Sequence, residues 1–215
     1  MKLYDLEISG NCYRIRLFLA LLGLPYEKVS VNTKKGESKS AEFLKIHPRG
    51  QLPAFVDDDG TVVWDSASIL VYLARKHAPQ WFPVEPFEAA EVSRWLGVAQ
   101  QGEVMALARA RAVTLFGVAG DRAALQAVGI HFLRFLDGYM SSRRWLALDR
   151  ATIGDIACYP YIAMAPHGEV PLDPYPNLRA WFARIEALPG YVPLPKASPE
   201  NIAVASGPTG PGLKK

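Results

Sequence analysis

A chain of 215 residues, 50% hydrophobic and 21% charged, can bury a full core as one large domain or two small ones. Its net charge is +3, with basic residues scattered in pairs such as Lys34-Lys35 and Arg143-Arg144, which argues against a nucleic-acid partner. No apolar run approaches the ~20 residues a membrane span needs, and Met1 to Asp5 reads as a strand rather than a leader, so no membrane contact and a cytoplasmic location are expected.

Lys2 to Leu6 reads as extended, Asn11 to Leu22 as helical, Tyr26 to Val31 as extended and Ser40 to Ile46 as a short helix. Leu52 to Phe55 and Thr61 to Trp64 then read as two strands joined by a turn at Asp57-Asp58-Asp59-Gly60. A helix over 66–76 follows, with Ile69, Leu70 and Leu73 on one face. This β-α-β-α-β-β-α order implies a small mixed sheet and resembles a thioredoxin-like fold. Residues 78–86 hold three prolines in nine positions and read as a stiff linker between domains at 1–77 and 87–194.

Beyond the linker every periodic segment is helical. An Ala-rich run extends from Phe87 to about Phe116, and a second helix from Asp121 to Met140 carries Leu125, Val128, Phe132 and Leu136 on one face. Thr152-Ile153-Gly154-Asp155 is a capping box at the head of an apolar helix that includes Cys158, which reads as core. Asn177 to Leu188 forms a last long helix through Leu178, Trp181, Phe182, Ile185 and Leu188, and residues 195–215 form a Pro/Gly-rich tail, mobile or draped on the surface.

Arg49-Gly50-Gln51-Leu52-Pro53-Ala54-Phe55 followed by Asp65-Ser66 is the most informative stretch. Pro53 removes a backbone donor before an apolar strand, so Leu52 can present its backbone to an extended peptide. Ser66 reads as the N-cap of the next helix, where its hydroxyl and the free amides attract a carboxylate, while Asp65 attracts an ammonium. An amino-acid zwitterion fits that pair. Gln51-Leu52-Pro53 with Asp65-Ser66 resembles the glutathione-binding signature of the glutathione transferases, and the likeness runs through about residue 194.

That resemblance implies a glutathione transferase fold, an α/β thioredoxin-like N-terminal domain plus an all-α C-terminal domain, in a homodimer. It implies conjugation of glutathione thiolate to a small apolar electrophile, as in detoxification, with glutathione as co-substrate, no separate cofactor and no metal. The four histidines, His47, His77, His131 and His167, lack metal-ligand spacing in any case. In the tripeptide site, Ser66 would hold the γ-glutamyl carboxylate, Asp65 its ammonium and the Leu52 backbone the cysteinyl unit, beside a cis Leu52-Pro53 bond. Gln51 and Lys39 would reach the glycine carboxylate; Lys39 reads equally as a solvated loop lysine.

The chemistry needs the thiolate, and a thiol with a pKa near ~8.5 is only about 3% ionised at pH 7. A hydroxyl donor at a helix N-terminus just after the first strand would favour the anion. Ser9 is the expected donor, because its spacing to Gly23-Leu24-Pro25-Tyr26 equals that in the serine-type transferases this region resembles; its other reading is a plain helix cap. Asn11 could donate to the same sulfur or hold the loop. Cys12 offers two alternatives, a thiol for glutathione-dependent disulfide exchange or a buried packing residue. A non-catalytic binding protein of the same fold is the third possibility. Met105, Arg109, Phe116, Tyr161 and Met164 are the expected walls of the electrophile site, with Arg109 and Arg111 also readable as surface groups.

Overall fold

The computed structural model describes residues 1–205. Strands β1 (Lys2–Asp5), β2 (Glu27–Ser30), β3 (Ala54–Val56) and β4 (Val62–Trp64) form one mixed sheet in the order β2-β1-β3-β4. β1 pairs parallel with β2, Leu3 opposite Lys28, and antiparallel with β3, Leu3 opposite Phe55; β3 and β4 form a hairpin with Phe55 opposite Val63. Period-2 alternation places Leu3 and Asp5 inward and leaves Lys2 outside. Helices α1 (Gly10–Leu21) and α2 (Ala41–Ile46) fall between the strands, and α3 (Ser66–His77) follows them. The basic end of α3, Arg75-Lys76-His77, complements its macrodipole, and Arg75 donates to the Pro83 carbonyl at 3.1 Å while stacking on Phe82, which fastens the proline-rich segment to the helix.

The all-helical part comprises α4 (Pro86–Gln100), α5 (Gly102–Phe116), α6 (Arg122–Met140), α7 (Ile153–Ala163), α8 (Pro176–Glu186) and α9 (Pro199–Ala203). The Ala-rich run from Phe87 to Phe116 is therefore two helices rather than one: Gln101 is extended and Gly102 takes φ 46°, a left-handed conformation that stops α4 and starts α5. The expected face of α6 also shifts. Phe132, Leu133, Leu136 and Met140 are buried, Leu125 is only half-buried, and Val128 is 44% exposed, because Gly129 is the position that meets Leu107 of α5. The last long helix ends at Glu186, and α9 is an element the sequence reading lacked; Val204 just after it accepts from the Lys34 amide at 3.3 Å, so residues up to 205 lie against the α/β part. The rest of the expected tail lies outside the described residues.

One apolar core runs through both parts: Leu3, Leu17, Phe18 and Phe55 belong to the same cluster as Trp95, Ile156, Ile162 and Trp181. α7 is its centre, buried from Ile153 to Ile162. The capping box forms as expected, Thr152 Oγ1 accepting from the Gly154 amide at 3.2 Å and Asp155 accepting from the Thr152 amide at 2.9 Å. Among the described residues no helix is long and apolar enough to cross a membrane, and no group of three His, Cys, Asp or Glu is placed to hold a metal ion.

Candidate active site

The site forms where the β1–α1 loop, the Arg49–Pro53 turn and the head of α3 meet the helical part. Ser9 caps α1, its Oγ accepting from the Cys12 amide at 3.3 Å and its carbonyl from Tyr13 at 2.8 Å. A hydroxyl oxygen that accepts from its own helix keeps its proton available to another acceptor. No acidic residue lies in the first turn of α1, so the positive end of the helix dipole stands uncompensated beside that proton. Asn11 is half-buried in the same turn.

Cys12 is a different kind of residue. It is fully buried, its Sγ accepts from the Leu6 amide at 3.4 Å, and burial, reinforced by Asp5, pushes the thiol up to about 12. The helix N-terminus that would acidify an exposed cysteine is outweighed by desolvation here. A thiol with no exposed surface and an anion disfavoured by burial packs as a core group, which argues against disulfide exchange through Cys12. Cys158 is likewise fully buried, as expected.

Leu52-Pro53 is cis, with Pro53 buried and Leu52 half-buried at the entrance to β3. Gly50 just before it takes φ 58°, and an added Cβ would sit 2.4 Å from the Ser38 carbonyl, so only glycine lets this turn close on the 38–39 segment. Lys39 is exposed and donates to the Arg49 carbonyl at 2.8 Å; Gln51 is exposed next to it. His47, 2% exposed, braces the same turn by accepting from the Arg49 amide and lying 4.9 Å from the Trp64 ring; burial and the nearby Arg49 lower its pKa, so it stays neutral.

Asp65, not Ser66, is the N-cap of α3. Its Oδ1 accepts from the Ala67 and Ser68 amides at 3.0 and 3.2 Å, and Ser66 becomes the first helical residue. The reason is backbone: Asp65 adopts φ 73° and ψ 129°, outside the left-handed helical well and strained for any residue with a side chain, and this turns its carboxylate back over the helix start. Gln100, at the end of α4, donates to both Asp65 oxygens at 3.0 and 3.3 Å within the same chain. Ser66 is 3% exposed and its Oγ accepts from Arg14 Nη1 at 3.2 Å.

The helical part supplies three side chains to the Ser9 loop. A Cβ on Gly10 would come within 2.8 Å of the Tyr161 ring and 3.0 Å of Met164 Cε, so Tyr161 of α7 and Met164 just after it lie directly against the loop. Arg111 of α5 is the cation that comes in, whereas Arg109 is exposed: Arg111 is 4% exposed, donates to the Ile8 carbonyl at 2.9 Å and to His167 Nδ1 at 3.2 Å, and has Phe116 6.0 Å away. Met105 is half-buried against the main core. Arg14 was not among the expected site residues, and Arg111, readable as a surface group from the sequence, is buried instead; a buried arginine inside an apolar helix leaves no periodic signal, since it occupies a position that any core residue would fill.

The glutathione S-transferase N-terminal domain family matches residues 8–76, and the glutathione S-transferase C-terminal domain family matches residues 130–189. The chain is 30% identical over 217 residues to glutathione S-transferase 3 of Zea mays, covering 91% of this chain and 96% of that one. It is 28% identical over 198 residues to the glutathione S-transferase GstB of Escherichia coli, covering 88% and 94%. A solved glutathione S-transferase from Pseudomonas fluorescens superposes with a TM-score of 0.84 at 34% identity, over 91% of this chain and 98% of that one. With the sheet, the helical part and the matches agreeing over nearly the whole length, the chain belongs to the glutathione S-transferase family and is an enzyme of that type.

Proposed function

We propose that this transferase activates glutathione through Ser9 and conjugates it to a small apolar electrophile held against α7. The observation that carries the reading is the Ser9 hydroxyl, whose oxygen accepts from the Cys12 amide and which stands at a helix start with no acidic residue in its first turn. A donor there, added to the helix dipole, lowers a thiol pKa by about one to two units, each about 1.4 kcal/mol, which raises the thiolate at pH 7 from about 3% to roughly 25–75%. Asn11 adds a second donor to the same sulfur.

In this reading Ser66 holds the γ-glutamyl carboxylate through its hydroxyl and its own amide, the Ala67 and Ser68 amides being taken by the Asp65 cap, and Asp65 takes the ammonium with Gln100 steadying it. The Leu52 backbone pairs with the cysteinyl unit beside the cis bond, and Gln51 lies by the glycine carboxylate, with Lys39 near it once freed from Arg49. Tyr161 and Met164 wall the electrophile, Phe116 extends the wall, and Met105 and Arg109 lie further out. The enzyme acts as a cytoplasmic homodimer in detoxification without a metal or a separate cofactor, the 1–77 and 87–194 segments working as its two domains. Exposed Val62, Trp64, Val84 and Phe87 provide apolar surface for the second copy.

The test is turnover of an activated aryl halide with glutathione. S9A should lose about 10- to 30-fold in kcat/KM, the fall in thiolate fraction when that shift is lost, while C12S keeps activity within a few-fold. Full activity in S9A together with loss in C12S would reverse the assignment.

A further inference from the structure

Arg14 is fully buried, yet Nε and Nη2 of its guanidinium have no acceptor among the described residues. Its one hydrogen bond is from Nη1 to Ser66 Oγ at 3.2 Å, and the ring of Tyr161 lies 5.8 Å away. The titratable groups around it are Tyr161, Cys158, Asp65 and Cys12. None neutralises it: Cys12 and Cys158 are buried thiols, and the Asp65 carboxylate already accepts from Ala67, Ser68 and Gln100. Arg16, two residues on, is the contrast, since it is fastened to Asp5 at 2.5 Å and to the Glu7 carbonyl at 2.6 Å.

An isolated buried cation is costly unless something anionic meets it. Burial accordingly lowers the pKa of Arg14, though an arginine stays protonated in proteins. Its one partner is the hydroxyl that stands at the head of α3.

We propose that Arg14 is a positioning residue for the amino-acid carboxylate of glutathione. Its Nη1–H engages the Ser66 oxygen as acceptor, which leaves the hydroxyl proton to be donated to the carboxylate, and the bound carboxylate supplies the negative charge that the buried guanidinium lacks. Arg14 thus acts through Ser66 and touches no reacting atom. This inference rests on the assignment of Ser66 to the γ-glutamyl end.

The experiment is a two-by-two calorimetric cycle. Wild-type and R14M proteins are titrated with glutathione and with γ-aminobutyryl-cysteinyl-glycine, which keeps the amine and lacks only that carboxylate. R14M should bind glutathione at least about 30-fold more weakly, the lower end for truncating one partner of a buried charge pair, and should bind the decarboxylated peptide within about threefold of wild type, because the carboxylate is the group Arg14 serves. The ligand-free R14M protein should melt at or above the wild-type temperature, since an unpaired buried charge has been replaced by an apolar chain of similar reach. Equal weakening of both peptides, or of neither, overturns the inference. If R14M does not fold, R14Q, neutral but able to donate to Ser66, is held to the same two ratios. Failure of wild-type protein to bind millimolar glutathione would instead overturn the reading of the whole site.

Discussion

Removing the Asp155 carboxylate should unfold this protein more readily than any change to the active-site loop. Asp155 is fully buried and accepts four hydrogen bonds, Oδ1 from the Leu146 amide at 2.9 Å and Trp181 Nε1 at 3.0 Å, Oδ2 from the Thr152 amide at 2.9 Å and Thr152 Oγ1 at 3.1 Å. D155A strands three donors that cannot turn elsewhere, two amides and an indole, each worth about 1–3 kcal/mol when left buried and unpaired. The vacated space is about the size of one water, which recovers part of that, so the expected loss is about 3–5 kcal/mol out of a typical 5–15. D155N is the internal control. Its amide oxygen replaces Oδ1 and keeps two of the bonds, so it should lose about 1–2 kcal/mol. Urea unfolding at fixed protein concentration measures both; with a slope of about 3 kcal/mol/M, D155A should lower the midpoint by about 1 M. A D155A shift below about 0.3 M, or D155N falling at or below D155A, would refute the reasoning.

Two further outcomes follow from local geometry. G10A should lower both stability, by about 1–3 kcal/mol for an overpacked contact, and turnover, because the new Cβ lies 2.7 Å from Tyr161 Cε1; adding Y161A should restore part of the stability in thermal melts, and no restoration would place the strain elsewhere. Burial alone would raise the Asp57 carboxyl, but hydrogen bonds from Lys76 at 2.7 Å, Tyr72 at 2.6 Å and the Asp58 amide hold it down at about 2. A depressed folded-state pKa stabilises above the unfolded value, about 3.8, and that stabilisation is lost as the pH falls through about 2. The stability gap between wild type and D57N should therefore be full at pH 6 and close in strong acid; a gap independent of pH would contradict the pairing.

What could be read from the sequence was what has a local signature. Thr152 caps its helix as written, and Pro53, Asp65 and Ser66 fall together because a short hairpin leaves them little freedom. Asp65 took the cap from Ser66 through a positive φ, which no composition announces. The α4–α5 break rests on the backbone of Gln101 and Gly102, in a stretch whose alanines suit either one helix or two. Side-chain partners across the domains were least legible: the same Ala-rich pattern puts Arg109 outside and Arg111 inside, and only the packing of α5 on the Ser9 loop separates them.

That last point bears on how the site is held. The carbonyl of Ile8 accepts from Arg111 of α5, Gly10 is walled by Tyr161 and Met164 at the end of α7, and Asp65 accepts from Gln100 of α4. Every segment of the α/β part that would touch the thiol or the amino-acid end of glutathione is thus fastened by a residue beyond the proline-rich segment. Because α1 and α7 share one apolar core, shifting the helical part cannot leave the Ser9 loop in place. On the proposed assignment the α/β part carries the peptide-binding groups and the helical part sets their spacing, so a change in the wall that would accommodate a different electrophile would also act on the Ser9 donor.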